Sequence, residues 1–412
     1  AMARENERWA GEALRVLGVA MVRIDDGGDW REAGLTWLGL VGMTDPLRAG
    51  MPEFIAAMQR AGIRTVMITG DQSATAYAVG QQLGLSGGEP LRILDSAQFD
   101  RLPPELRRAL AQETHVFARV SPSHKLEIVR TLQESGQVVA MTGDGVNDGP
   151  ALKAADVGVA LGGAAQDVAR SLSDVVLEDD HIATMQSAVA QGRTIYTNIR
   201  KSVHYMLSTN FSEIEVMLVA LAMGLGSPLN PMQLLWVNLL TDVFPGLALA
   251  LEAPEPDVMQ RQPRDPAEPI IRRQDLRRMA VESGAISAGA LASYAWGLLR
   301  YGPGASASGM AFNTLTTAQL LHALLCRSES AGLRQGGRQP NRYLDAALGL
   351  SLLAQAGTLV LPPLRRLLGV GPVGMLDLPV MAAGSLGPLL LNDWLKRHSA
   401  NDENPHREEN LE

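Results

Sequence analysis

Residues Met141 to Leu161 read MTGDGVNDGPALKAADVGVAL, and this stretch decides the fold of the first half of the chain. An apolar run breaks into a glycine turn carrying Asp144, Asn147 and Asp148, and a helix-like run follows. Open α/β sheets place their chemistry at the carboxyl ends of strands, and Mg²⁺ is held through one or two carboxylates with water and a substrate phosphate. The stretch predicts a Mg²⁺-assisted phosphoryl-transfer site. The alternative is a Gly/Asp turn satisfied by its own backbone.

A second segment has the features of a phosphate-binding turn. Residues Val66 to Asp71, VMITGD, form an apolar run that ends in Thr69, Gly70 and Asp71, and a helix-like run begins at Ser73. A hydroxyl and free backbone N–H groups at the start of a helix suit a phosphate. We therefore expect Thr69 and Gly70 to lie beside the acidic turn.

A third segment supplies a cation. Residues Phe117 to Val129, FARVSPSHKLEIV, read as a strand, a Ser-Pro helix start and Lys125 in the first helical turn. An ammonium there could balance a phosphoryl group and the nearby acids. Taken alone, Lys125 would be an ordinary solvated helix charge. Pro46 sets a turn in GMTDPLR, residues 42–48, after a strand predicted at Leu35 to Val41.

These motifs together resemble the phosphorylation domain of P-type cation-transporting ATPases, a branch of the haloacid dehalogenase superfamily. The most specific part is GDGVND at residues 143–148, followed by PALK at residues 150–153. The resemblance implies a Rossmann-like α/β domain with a parallel sheet. It also implies that ATP and Mg²⁺ are used.

The resemblance further implies roles for individual residues. Mg²⁺ would be held by Asp144 and Asp148, with Asn147 in support. Lys125 would be the phosphate partner. The phosphate-binding turn would be Thr69 with Gly70, and Asp71 would contact the nucleotide or the path of phosphoryl transfer. Asp45 and Arg48 would lie at a hinge between domains.

The sequence departs from the family pattern at three points. Gly149 stands where alanine is usual, and Leu47 stands where a second proline is common. The third departure is larger, because the DKTGT motif that carries the phosphorylated aspartate does not occur in these 412 residues. The first residues resemble the end of a nucleotide-binding domain. We therefore expect the carboxyl-terminal part of a longer pump, unable to complete a catalytic cycle alone.

The second half of the chain is apolar enough to enter a membrane, although the mean hydropathy of the whole chain is only +0.02. A helix needs roughly 20 apolar residues to cross a bilayer. Six segments approach this length: Val203 to Gly226, Pro231 to Leu251, Met279 to Leu299, Met310 to Cys326, Leu344 to Leu361, and Val373 to Leu395. The predicted fold is therefore an α/β domain followed by a six-helix transmembrane bundle.

The arginines predict the orientation. The loops after the second and fourth spans are rich in arginine, and the positive-inside tendency places them, with the α/β domain, in the cytoplasm. Arg365 and Arg366 fall on the opposite side and count against this scheme. A single cysteine, Cys326, fits a reducing interior. The net charge of -8 gives no hint of a nucleic-acid partner. Short loops favour a bacterial plasma membrane.

The spans carry oxygen-bearing side chains that could bind a transported cation. Asn210 and Glu213 share one helix face, and Asn238, Thr241 and Asp242 share another. A carboxylate in a membrane helix costs roughly 2.5 to 3.5 kcal/mol on insertion scales, so a chain rarely carries one without a use. Pro245, just beyond the second set, should loosen the helix and free carbonyl oxygens. The alternative is a polar network that joins helices.

The first two predicted spans resemble one type within this family. LSTNFSE, residues 207–213, and QLLWVNLLTDVFPGLAL, residues 233–249, are similar to the fifth and sixth membrane helices of calcium-transporting ATPases. This similarity implies that the five side chains ligate Ca²⁺. We expect Glu215 to face away. Neutral Gln319 stands where two-site calcium pumps carry an acid, which favours one bound ion. Oxygen ligands discriminate poorly among hard cations, so Mn²⁺ and Na⁺ are alternatives to Ca²⁺ as the transported ion.

The predicted organisation has four parts. Residues 1–33 end a nucleotide-binding domain, 34–196 form the phosphorylation domain, 197–398 form the transmembrane domain, and 399–412 form a disordered tail. The predicted function is ATP-driven cation transport through an aspartyl-phosphate, with membrane lipid, ATP and the cation as partners. Two other classes fit parts of the sequence: a phosphatase anchored in the membrane, and a catalytically incomplete membrane fragment. A phosphatase would have no reason to place Glu213 and Asp242 within spans.

Overall fold

A computed structural model describes residues 2–11, 14–22, 34–43, 46–143, 146–162, 167–179, 182–328, 332–333 and 340–402. The chain divides into two compact units. The first comprises Ala1–Ala190 with Pro256–Pro266, and the second comprises Gln191–Glu255 with Ala267–Glu412. The sequence predicts a division near residue 196, so the two boundaries differ by only a few residues. The sequence does not indicate that residues 256–266 belong to the first unit.

The first unit alternates strands and helices, as expected for an α/β domain. The strands are β1 (Arg15–Met21), β2 (Thr36–Met43), β3 (Met67–Ile68), β4 (Ile93–Asp95), β5 (Val116–Ala118), β6 (Ala140–Gly143), β7 (Val157–Leu161) and β8 (Val175–Leu177). The helices are α1 (Met2–Gly11), α2 (Met51–Arg60), α3 (Ser73–Leu83), α4 (Ser96–Phe99), α5 (Pro104–Glu113), α6 (Pro122–Glu134), α7 (Gly149–Ala154) and α8 (Asp167–Leu172).

Strands β3 to β8 are parallel as predicted, but within the described residues they form two three-stranded sheets and not one. The strand orders are β3-β5-β4 and β6-β7-β8, and β1 and β2 make a separate antiparallel pair. Strand β3 contains only two residues, which leaves it little ladder with which to pair a second neighbour. The buried clusters around the two parallel sheets nevertheless share Ile68 and Val139. Hydrophobic packing therefore continues where the hydrogen-bonded ladder stops.

The second unit is helical. Its helices are α9 (Ile182–Ala222), α10 (Pro231–Asn238), α11 (Phe244–Ala250), α12 (Arg273–Tyr301), α13 (Ala305–Cys326), α14 (Arg342–Val360), α15 (Pro362–Leu368) and α16 (Asp377–Asp402). A π-helical segment, Leu239–Val243, joins α10 to α11. The six predicted spans fold largely as helices. Helix α16 also includes the first residues of the predicted tail, whereas residues 403–412 lie outside the described part.

Among the described residues, two helical stretches, Pro231–Ala250 and Arg342–Val360, are long and apolar enough to cross a bilayer by length and composition. The other long helices are more polar, and much of their polarity lies inside the unit. Glu282 in α12 and Gln319 in α13 are buried, while Leu299 in α12 and Leu218 in α9 are 87% and 60% exposed. The helices therefore present leucine outward and keep polar side chains between them.

Buried polar networks hold the ends of these helices together. Glu252 accepts hydrogen bonds from the guanidinium of Arg327 at 2.7 Å and from Asn341 Nδ2 at 2.7 Å. Asn198 Nδ2 donates to the Glu252 backbone oxygen at 2.7 Å. This network joins α9, α13 and α14 to the residues that follow α11. The ammonium of Lys396 in α16 donates to two backbone oxygens at the end of α13.

The close crossing of α12 and α16 gives a test of this packing. A Cβ added at Gly289 would lie 2.1 Å from the Gly384 backbone oxygen, whereas one added at Gly284 in the same helix would have nothing within 4 Å. We expect Gly289→Ala to lower the free energy of unfolding by about 1 to 3 kcal/mol, because a backbone atom cannot give way. Thermal unfolding in detergent would measure the loss.

The matched control is Gly284→Ala. It should leave the unfolding temperature unchanged or raise it, because alanine favours a helix interior over glycine. Equal unfolding temperatures for the Gly289→Ala and Gly284→Ala variants would contradict the described crossing.

Candidate functional site

The GDGVND motif lies at the carboxyl end of β6, as predicted. Strand β6 ends at Gly143, a 3₁₀ turn covers Val146–Asp148, and α7 begins at Gly149. Asp144 and Gly145 lie outside the described residues, so the role of Asp144 stays a prediction. Asp148 is buried and Asn147 is exposed. At this end of the strand, the Asp148 carboxylate is therefore turned inward and the Asn147 amide is turned outward.

Lys125 and Asp148 form an ion pair at this edge. Lys125 Nζ donates to Asp148 Oδ1 at 2.5 Å. The lysine lies in the first turn of α6, which is held by a capping box between Ser121 and His124. The sequence separates the two charged residues by 23 positions, yet the structure brings them together. A positive charge beside a buried carboxylate is the arrangement needed to bind phosphate and Mg²⁺ at one place.

Gly143 is required by this contact. A Cβ at this position would lie 2.6 Å from Asp148 Cβ and 2.9 Å from Asp148 Oδ2. Any larger residue would push the carboxylate away from Lys125. The first glycine of the motif is therefore explained by the close approach of the strand end to the acid.

The Thr69-Gly70-Asp71 turn follows β3 and is hydrogen-bonded to the end of β5. Thr69 Oγ1 donates to Asp71 Oδ2 at 2.9 Å, and the Asp71 N–H donates to Thr69 Oγ1 at 3.1 Å. The Thr69 N–H donates to the Phe117 oxygen at 3.0 Å, and the Val120 N–H donates to the Thr69 oxygen at 2.9 Å. Val120 precedes the cap of α6. The turn is thus fixed to the segment that carries Lys125.

Arg119 is a feature of this edge that the sequence reasoning missed. It is the one described residue other than glycine with a positive φ, at 55°, a conformation that costs energy for an ordinary side chain. Its N–H donates to the Asp71 oxygen at 2.9 Å, and its Nε lies 3.4 Å from Asp95 Oδ2. Ser73 Oγ donates to the same carboxylate oxygen at 3.1 Å. The only sequence signal was its position directly after a strand.

The five predicted cation-binding side chains fall into two contacting groups in the second unit. Asn210 in α9 donates through Nδ2 to Asp242 Oδ2 at 3.3 Å. Thr241, which is fully buried, donates to Val237 O at 3.0 Å and lies 3.3 Å from Asp242 Oδ1. Asp242 therefore contacts both its own helix and α9.

The second group surrounds Glu213, which is 7% exposed. The Asn238 side-chain amide nitrogen donates to Glu213 Oε2 at 3.2 Å and to Oε1 at 3.3 Å. Gln319 in α13 donates to Glu213 Oε1 at 3.3 Å and to the Thr209 oxygen at 3.0 Å. The sequence identified Gln319 only as a missing acid, and its bond to Glu213 could not be foreseen across 106 residues.

The backbone around Asp242 is not a regular α-helix. Leu239–Val243 is π-helical, and Pro245 follows in the first turn of α11. Proline lacks an N–H and its ring clashes with the preceding turn, so the helix rearranges before it. Single π-helical turns inside α-helices occur frequently at functional sites. The structure confirms the predicted loosening of the helix near Pro245.

Glu215 faces a different neighbour. Its two carboxylate oxygens accept hydrogen bonds from Ser283 and Ser287 in α12, each at 2.8 Å. This direction agrees with the prediction that Glu215 turns away from Glu213. Two acids two residues apart on α9 therefore have separate surroundings.

Comparison with known proteins identifies the same two regions. Residues 3–156 match the model of the haloacid dehalogenase-like hydrolases, and residues 226–398 match that of the cation transporting ATPase carboxyl terminus. The first match contains the turns that carry Lys125 and Asp148. The second contains Asn238, Thr241 and Asp242.

Curated relatives align with almost the whole chain. It is 41% identical to a calcium-transporting ATPase of Bacillus subtilis over 395 residues, which cover 92% of the chain and 44% of the relative. It is 37% identical to calcium-transporting ATPase 1 of Bacillus cereus, covering 93% and 45%. It is 34% identical to calcium-transporting ATPase type 2C member 2 of Mus musculus, covering 95% and 41%. The chain thus spans less than half the length of these relatives, and it belongs to the P-type cation-transporting ATPases.

Proposed function

We propose that this chain works in an ATP-driven cation pump, with Ca²⁺ as the transported ion and an aspartyl-phosphate as the intermediate. The chain would supply the Mg²⁺ and phosphate contacts of the phosphorylation site and one half of the cation path. The observation that carries the proposal is that two contacting groups, Asn210 with Thr241 and Asp242, and Glu213 with Asn238, both join α9 to the stretch from α10 to α11. The calcium-transporting relatives support the same ion.

We propose further that six helical segments cross the membrane: α9, the stretch from α10 to α11, α12, α13, α14 and α16. Their exposed leucines and buried polar side chains support this, because the arrangement suits a lipid surround better than water. Glutamate, glutamine and threonine would then line the space between helices. The arginine-rich segments after α11 and α13 would lie in the cytoplasm with the α/β unit, and a bacterial plasma membrane is the proposed location.

In the α/β unit, the Lys125 ammonium would stabilise the negative charge of the phosphoryl group, and Thr69 with Gly70 would bind its oxygens. Asp144 and Asp148 would hold Mg²⁺, with Asn147 in support and Asp71 at the nucleotide. The buried Asp148 carboxylate beside Lys125 has the oxygen chemistry that Mg²⁺ takes. Bound Mg²⁺ would neutralise phosphate charge during transfer. The protein's own contribution is positioning and charge stabilisation.

In the helical unit, the charge balance supports a cation site. Among the described residues, Glu213 and Asp242 make no ion pair with a lysine, an arginine or a histidine, although Glu213 is buried and Asp242 is partly buried. Two carboxylates in one buried cluster repel each other unless a positive charge lies between them. The Asn238 amide nitrogen donates to Glu213 Oε2 at 3.2 Å, and this hydrogen bond from a neutral group leaves the carboxylate charge without a counter-ion.

The ligand set favours Ca²⁺ and a single ion. Ca²⁺ takes six to eight oxygen ligands at about 2.3 to 2.6 Å, and all five proposed side chains offer oxygen. Gln319 is neutral and donates its amide to Glu213, so it adds no charge for a second ion. Asn238 is exposed, which leaves one side of the cluster open to further ligands from the rest of the pump. Mn²⁺ or Na⁺ could use the same oxygens.

The phosphate contact can be tested in the intact pump, meaning this chain together with the aspartate-bearing segment of the family. Lys125→Ala should slow the formation of phosphoenzyme from ATP by about 100-fold, because it removes one preorganised charge from the transferred group. Radiolabelled ATP with acid quenching would measure the rate. The control is Arg130→Ala, which removes an exposed cation from the same helix. A normal rate in the Lys125→Ala variant would exclude the proposed contact.

The cation site has a matched pair of variants within one helix. Glu213→Gln should raise the Ca²⁺ concentration for half-maximal ATP hydrolysis more than tenfold, a loss above about 1.4 kcal/mol of binding free energy. Glu215→Gln should leave that concentration nearly unchanged, since Glu215 contacts serines of α12. The assay is Ca²⁺-dependent ATP hydrolysis by the intact pump in vesicles.

The pair also separates binding from helix packing. If the Glu213 cluster only joins helices, both variants should lower thermal stability while the Ca²⁺ dependence stays the same. A catalytically incomplete fragment or an anchored phosphatase would show no Ca²⁺-dependent hydrolysis at all.

A further inference from the structure

A second cluster of metal-binding side chains lies in the helical unit, apart from the oxygen cluster. His204 belongs to α9, and His322 and Cys326 belong to α13. Their ligand-capable atoms all lie within 4.8 Å of one another. In the sequence, α9 and α13 lie more than 80 residues apart, so no spacing pattern indicates this set. The fold alone brings two imidazoles and a thiol together.

The polar atoms of this cluster are poorly satisfied. His322 is 2% exposed; its Nε2 lies 3.5 Å from the Glu282 carboxylate, and neither ring nitrogen has a hydrogen bond of good geometry in the described structure. Tyr205, whose ring stacks on His322 at a centroid distance of 6.4 Å, is fully buried with its hydroxyl also without a partner. Buried polar groups are almost always hydrogen-bonded, so a buried imidazole and a buried hydroxyl without well-formed hydrogen bonds, next to other potential ligands, point to a bound ligand.

A carboxylate orients both imidazoles. Glu282 Oε2 in α12 lies 2.5 Å from His204 Nε2 and 3.5 Å from His322 Nε2. Metal-binding histidines almost always direct their other nitrogen to such a carboxylate or to a carbonyl, which fixes the ring. Arg278 holds the second Glu282 oxygen at 2.8 Å. Glu282 would therefore position both rings beside the thiol.

We propose that His204, His322 and Cys326 form a binding site for a borderline or soft divalent cation of the Zn²⁺ class. Two nitrogens and one sulfur with an open fourth position suit tetrahedral Zn²⁺, whereas Ca²⁺ and Mg²⁺ prefer oxygen ligands. Binding would convert the Cys326 thiol to a thiolate and release its proton to solvent. The ligands need to close by about 1 Å, because tetrahedral Zn–N and Zn–S bonds are roughly 2.0 to 2.3 Å.

The site is separate from the proposed calcium ligands. His204 precedes Asn210 by six residues, which is about 9 Å along α9 at 1.5 Å per residue. His322 follows Gln319 by one turn of α13. The two sites would therefore share α9 but use different second helices and different ligand chemistry, and the nitrogen and sulfur site does not depend on the identity of the pumped ion.

The experiment uses Co²⁺ as a spectroscopic probe on the purified 412-residue chain, prepared without a histidine tag. Cys326 is the only cysteine in the sequence, so a sulfur-to-cobalt charge-transfer band reports on this site alone. We expect the band to saturate near one Co²⁺ per chain and to disappear when Zn²⁺ is added. Cobalt binding without such a band would overturn the proposal.

Variants test the histidines independently of the thiol. His322→Asn and His204→Asn should each weaken Co²⁺ binding at least about tenfold. Even removing a residue that only hydrogen-bonds to a metal ligand lowers metal affinity by about tenfold or more. His398→Asn is the control, because His398 is exposed and outside the cluster. An unchanged cobalt affinity in both cluster variants, with circular dichroism showing the wild-type fold, would contradict the site.

Discussion

The helical unit depends on two carboxylates, Glu213 and Asp242, which lie close together without a basic partner in the described part of the chain. Much of the surrounding packing stabilises them. Asn210 donates to Asp242, Gln319 donates to Glu213, and a π-helical turn at Leu239–Val243 changes the backbone where α10 meets α11. Because like charges in a poorly solvated place repel, this arrangement supports the proposed cation site.

In the α/β unit, charged and polar side chains also lie close together, here at the carboxyl ends of strands. Lys125 and Asp148 pair at 2.5 Å, Gly143 leaves room for that acid, and the turn at Thr69 is hydrogen-bonded to the segment before α6. The turn at Thr69 and the Lys125–Asp148 pair are connected through the segment between β5 and α6. In the proposed function, the Lys125 ammonium would face the phosphate, and the acid beside it suits a hard cation.

Many of the helices, strands and candidate site residues could be predicted, because the sequence patterns that indicate them are local. Helical spacing placed Asn238 and Asp242 on one face, and a strand followed by Ser-Pro placed Lys125 at a helix start. Contacts between distant segments were not predictable. The bond from Gln319 to Glu213, the strained backbone of Arg119 and the cluster around His322 all arise from tertiary packing, which periodicity does not encode. The separation into two parallel sheets was not predictable either. It depends on the short strand β3, in which only two residues pair with a neighbouring strand.

Equilibrium binding of radioactive Ca²⁺ to the purified intact pump tests the central claim most directly. If the cluster around Glu213 and Asp242 is the transport site, the pump should bind one Ca²⁺ with an affinity that Asp242→Asn lowers by more than tenfold. A stoichiometry near two, or an unchanged affinity in that variant, would contradict a single calcium site built from these side chains.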